Sequence, residues 1–232
     1  MGSSFKSYFR INCNAGYYSD IAIAQYDQLK KLCAEWETKA NDMGIIEKLG
    51  VAEEHMMVCC VFAEMALESF FNDYIAYYLG DKQFYDEFDK LTSIGKLQMI
   101  VEFIMKKDFD KSKGYYSALK SLKKTRNELV HNKSRGISAV GYKDVEECEA
   151  ALQQMSFDAK YYFEKYLEEM KKILAEAHNA VKALVEIAKM FEPFDREVPV
   201  KKHLLGHSAW TDPVRYKEFC REFKIEDNRI LG

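Results

Sequence analysis

The stretch richest in reactive groups is KKTRNELVHNK, residues 123–133, where Arg126, Asn127 and His131 stand among lysines. A guanidinium is permanently charged and grips oxyanions in a bidentate fork, an amide both donates and accepts, and an imidazole exchanges protons near neutral pH. Presented to one cleft, the three could clamp an anion and move a proton on or off it. The element able to hold them is a helix. Tyr116, Leu119, Leu122, Leu129 and Val130 give the apolar side of an amphipathic helix that begins near Gly114. Steps of three and four from Leu119 lead to 122, 126 and 129, so Arg126 falls where the pattern asks for a leucine. A guanidinium there must leave water at least in part, and it needs an acidic partner on a neighbouring helix or a phosphate. Asn127 and His131, four residues apart, share a face that Lys123 and Lys124 extend into a polar strip. On an ideal helix Arg126 and His131 stand about 140° apart, so they converge only if the long arginine side chain curls back.

Charge singles out the same region. The 232-residue chain carries a net charge of −3, yet Lys106 to Arg135 holds ten basic and three acidic residues. A local basic field inside an acidic chain can attract a polyanion, although charge alone also fits an ordinary solvated lysine face. The apolar run VCCVFA at 58–63 is far too short to cross a bilayer, and no N-terminal run looks like a signal peptide. The six cysteines show no CxxC spacing, which fits reduced thiols and predicts a cytoplasmic, membrane-free protein.

Three prolines and eleven glycines leave little to break helices, and the apolar fraction suffices for one sizeable core. An all-α fold follows: an antiparallel bundle of four to five main helices over 18–192, with a long C-terminal helix and an irregular extension over 193–232 packed on the bundle. A first helix is predicted from Tyr18, capped by Ser19 or Asp20. Gly44 and Gly50 are read as bracketing a break before a helix that runs to Gly80. A short helix or turn follows at 81–91, then a helix at 92–107 interrupted near Gly95, then the motif helix. Asp144 to Met190 predicts one very long helix or two with a kink near Ser156, and the tail a short helix near 213–223.

Arg126-Asn127-Glu128-Leu129-Val130-His131 resembles the Arg-Asn-x-x-x-His signature of HEPN domains, all-α bundles found in RNA-cleaving toxins, abortive-infection proteins and CRISPR-linked ribonucleases. AEMALESFFNDYI at 63–75 is similar to the HEPN helix that carries an acidic residue near the motif arginine. The resemblance implies metal-independent cleavage of RNA, with no cofactor, by attack of a ribose 2′-OH on the adjacent phosphate. His131 would act as general base or acid, Arg126 as phosphate clamp, and Asn127 would orient the phosphate or an opposing histidine. Glu68 is the expected partner of Arg126, with Glu64 one turn earlier as the alternative and Asn72 in support. Lys120, Lys123, Lys124, Lys133 and Arg135 are the expected RNA contacts. One histidine does not easily perform both proton transfers, so the resemblance also implies a homodimer with a composite site. A toxin or anti-phage effector of this kind could have an antitoxin partner.

The bland readings stand beside these. His203 and His207 lie four apart but have no CxxC pair with them, so no metal site is expected. His55 and His178 read as surface or packing histidines. The aromatic stripes at 70–78 and 161–166 read as core or dimer interface, while Tyr115 and Tyr116 could stack a nucleotide. No GxxxxGK[ST], GxGxxG after a strand, HExxH or GxSxG occurs, which disfavours nucleotide hydrolases, dehydrogenases, zincins and serine hydrolases. The competing function is a non-catalytic helical module for dimerisation or protein interaction, in which the motif is structural.

Overall fold

The computed structural model describes residues 14–38, 45–130, 159–191, 204–205 and 213–225. The fold is all-α, with no strand among the described residues. In chain order the helices are α1 (Ala15–Thr38), α2 (Ile45–Leu79), α3 (Asp81–Gln83), α4 (Ser93–Met99), α5 (Gly114–Val130), α6 (Ala159–Phe191) and α7 (Pro213–Phe223). π-helical turns follow α3 at Phe84–Phe88 and α4 at Ile100–Ile104. No described helix is long and apolar enough to cross a membrane.

The boundaries correct the sequence expectations in three places. α1 starts before Tyr18, and Ser19 lies fully buried inside it, so neither Ser19 nor Asp20 caps it. α2 runs through Gly50, beside which a Cβ would meet nothing within 4 Å. A glycine exposed on a long helix costs only about 1 kcal/mol, too little to break one whose other residues pack well. Gly95 likewise lies inside α4, where its N–H donates to the Thr92 hydroxyl at 3.2 Å. The true stop is Gly80, whose φ of +93° ends α2 in the left-handed region that glycine enters without strain. The expected kink near Ser156 lies outside the described residues.

α2 is the central element because it is apolar almost all round: Cys59, Cys60, Ala63, Ala66, Leu67, Phe70, Phe71 and Tyr74 are all buried. Small residues in its middle allow neighbouring helices close, and the Cys59 thiol donates to the Ala177 carbonyl of α6 at 3.7 Å. Farther along, Phe191 of α6 packs edge-on against Phe70 and Tyr74, each with ring centroids 4.9 Å apart. The stripe at 70–78 is therefore core at these positions. These two contacts also show that α2 and α6 run parallel. α1 is antiparallel to α2, since Tyr18 meets Phe62 and Gln25 meets His55. α5 is antiparallel to α6, with Gly114 close to Glu186 at one end and Thr125 sharing a recess with Glu176 at the other. α2 and α6 thus run one way and α1 and α5 the other, packed side by side.

α7 falls at the predicted place and is clipped onto α1 and α6 by polar groups. Arg215 donates to Asp27 at 2.6 Å, Lys30 donates to Glu222 at 2.7 Å, and the Tyr26 hydroxyl bonds both Glu222 and His178 Nδ1. The His178 ring stacks on Phe223 at 4.9 Å. His178 and His55 are thus packing histidines, the latter bonded to Gln25.

Candidate functional site

α5 carries the motif, and its register follows from the burial of Leu119 and Leu122 against α2 and α6. Those two leucines place Arg126 on the inward side, where it is half-buried, as the leucine-position argument predicts. Its Nη1 donates to the Asn127 side-chain oxygen at 3.1 Å. Its Nε is buried with no hydrogen-bond partner among the described residues, and so is Asn72 Oδ1 on α2.

The expected acidic partners are engaged elsewhere. The Glu68 carboxylate pairs with Lys96 of α4 at 3.1 Å, and Glu64 accepts a hydrogen bond from Ser93 at 2.6 Å. Neither Glu68 nor its alternative Glu64 is the counter-charge of Arg126. The reason is geometric: residues four apart on α2 share one stripe, and the docking of α4 turns that stripe toward Ser93 and Lys96. Lys96 is only 1% exposed, and its amine also lies 5.9 Å from the centre of the Phe84 ring. Sequence reasoning missed Lys96 and Ser93, because a lysine three residues from a serine on a short helix carries no sign that both are buried.

On the outer side of α5, Lys120 and Lys124 are exposed and Lys123 is half-buried, forming the basic strip with Asn127. Lys124 lies 4.0 Å from Glu128, whereas Lys120 and Lys123 make no ion pair among the described residues. Val130, expected on the apolar side, is 47% exposed. Tyr115 and Tyr116 pack on Phe109, with centroid distances of 6.1 and 5.7 Å, which ties both rings down beside the basic segment. His131, Lys133, Arg135, His203 and His207 lie outside the described residues.

Two recesses are formed by described residues. The larger, about 530 Å³, opens between α1 and α7, but the Asp27, Lys30 and Arg215 charges at its rim already satisfy one another. The smaller, about 210 Å³, lies between α5 and α6 next to the lysine strip and is lined by Ser121, Thr125, Glu128, Glu176 and Asn179. Ser121 and Thr125 are one turn apart, a spacing visible in the sequence, but only the docking of α6 brings Glu176 and Asn179 opposite them. Burial, reinforced by the charge of Glu176, pushes the Cys60 thiol at its base up to about 12, so that thiol stays neutral.

The arrangement offers a half-buried cation whose Nε has no hydrogen-bond partner among the described residues, an adjoining amide, and lysines on the same helix, of which Lys120 and Lys124 are exposed. It can hold an oxyanion and track a polyanionic backbone. No family model matches the chain, and no curated protein or solved structure matches it either.

Proposed function

We propose that the protein is a cytoplasmic, metal-independent endoribonuclease. The supporting observation is Arg126: a half-buried guanidinium that has Asn127 as its hydrogen-bond partner and a buried Nε with none among the described residues. Such a cation is stabilised by a bidentate oxyanion, and the scissile phosphate of RNA is one.

In the proposed reaction the ribose 2′-OH loses its proton to a general base, and its oxygen attacks the adjacent phosphorus. The bond from phosphorus to the 5′ oxygen breaks, and that oxygen takes a proton from a general acid. The ends are a 2′,3′-cyclic phosphate and a 5′-OH. His131 supplies one proton transfer, and the His131 of a second copy supplies the other across a homodimer. Arg126 holds the phosphoryl oxygens as they gain charge, with Asn127 orienting them. Lys120, Lys123 and Lys124, followed in sequence by Lys133 and Arg135, carry the flanking backbone. A nuclease of this kind would act as a toxin or anti-phage effector and need restraint, for which an antitoxin protein is the proposed partner.

The test is incubation of wild type and His131→Ala with total RNA and a labelled oligonucleotide in EDTA, followed by analysis of the fragment ends. Cleavage that persists in EDTA, leaves cyclic phosphates and disappears in the variant is the expected result. Equal inertness of both proteins across broad substrates would overturn it in favour of the interaction module. Light scattering after size exclusion tests the dimer, and a strictly monomeric protein that still cleaved RNA would sink the composite site.

A further inference from the structure

The recess between α5 and α6 sits on the flank of the motif helix that the catalytic reading does not use. Ser121, Thr125 and Glu128 line it from α5, and Glu176 and Asn179 from α6. At 100° per residue, the three α5 positions fall on one side of the helix wheel and Lys120, Lys123 and Asn127 on another, with Lys124 between them. Lys124 both lines the recess and belongs to the lysine strip. A strand whose phosphates follow the strip therefore passes the mouth of the recess.

The lining is chemically selective. The side chains of Ser121, Thr125, Glu176 and Asn179 make no hydrogen bond or ion pair among the described residues, so their donors and acceptors are available. Glu176 and Glu128 repel a phosphate, and the Glu176 carboxylate accepts hydrogen bonds from N–H groups, Glu128 being engaged with Lys124. Cytosine offers its N4 amine, adenine its N6 amine and guanine its N1–H and N2 amine to a carboxylate, whereas uracil offers only an N3–H flanked by two carbonyl oxygens that a carboxylate repels. The hydroxyls of Ser121 and Thr125 and the amide of Asn179 can read whichever edge atoms remain. Single-stranded RNA is recognised in just this manner, by splaying out an unpaired base and bonding its edge.

We propose that this recess receives one unpaired, amino-bearing base of the RNA whose backbone lies on the lysine strip, and so sets the sequence preference of the protein. The proposal rests on the ribonuclease reading for its ligand, and binding can be measured apart from cleavage.

The experiment uses full-length protein carrying His131→Ala, which blocks turnover, and follows fluorescence anisotropy with labelled single-stranded decamers of cytidylate, adenylate and uridylate. Cytidylate and adenylate should bind about tenfold more tightly than uridylate. Adding Glu176→Gln or Asn179→Ala should bring the ratios close to one while the far-ultraviolet dichroism and melting temperature match the parent. Two independent surface substitutions guard against one of them harming the fold. A parent that binds all three decamers equally overturns the base recess, as does a preference that both variants leave intact. Wild-type cleavage of the same decamers in EDTA is scored separately. Cleavage without preference overturns the recess and leaves the ribonuclease, and preference without cleavage does the reverse. Binding to none of the decamers overturns both.

Discussion

α2 brings polar side chains inside the bundle at two places, and they are treated differently. Where α4 crosses it, Glu64 meets the Ser93 hydroxyl and Glu68 meets the buried amine of Lys96. Among the described residues, Asn72, one turn beyond Glu68, has its side-chain oxygen buried without a hydrogen-bond partner, and the same holds for the Nε of Arg126 on α5. Groups that serve only the fold are commonly neutralised within it, because an unsatisfied buried polar atom costs about 1–3 kcal/mol. The unsatisfied Arg126 Nε at the α5 site is the donor that the proposed oxyanion would engage. The first region is a lock and the second a socket.

The sharpest way to break this comparison is Arg126→Lys. It keeps the charge but loses the planar fork, so single-turnover cleavage of RNA should fall about a hundredfold or more. A lysine variant as active as wild type would remove Arg126 from the proposed site.

The lock is tested by stability. Glu68→Ala strands the buried Lys96 ammonium and should lower unfolding free energy by about 1–3 kcal/mol, below the usual range for a fully buried pair because Glu68 is 42% exposed. Urea melts would measure it. Lys96→Met, which removes the charge and keeps the stem, should cost much less. If both variants melt like wild type, the pair contributes nothing to the fold.

The socket should respond in the opposite sense. Arg126→Met removes a desolvated cation from an apolar stripe, so melts should show stability unchanged or raised by up to about 1 kcal/mol even as cleavage is lost. A marked fall in stability would make Arg126 a structural residue after all.

A gentler test concerns the core beside both regions. Burial raises the Cys60 thiol from 9.0 to about 12, raises the Cys59 thiol as well, and together with Glu222 raises the Tyr26 hydroxyl. Groups with raised values in the fold keep their protons while the unfolded chain releases them. The Cys60 contribution to stability is therefore complete below pH 9 and lost as pH climbs toward 12. Urea melts at intervals across that window should show falling stability, with a smaller slope in Cys60→Ala. A flat profile would contradict the burial of these groups.

Much of the helical layout is readable in the chain itself, since helical periodicity is a local property. Spacing of three and four residues places α5 at Gly114 and the short α7 at Pro213, and it places Arg126 in an apolar stripe with lysines beside it. Gly50 and Gly95 look like breakers in the sequence yet lie inside helices, because a single glycine weighs little against tertiary packing of the whole helix. Which partner each charge finds was not legible. Glu68 meets Lys96 rather than Arg126, and Tyr26 bonds Glu222 and His178 from positions 196 and 152 residues away. Those pairings depend on how helices cross and in what register they dock, and that is decided by the fit of side chains such as Phe70, Tyr74 and Phe191 across the core. Sequence by itself determined which residues would share a helical face, and tertiary structure alone decided what each face would meet.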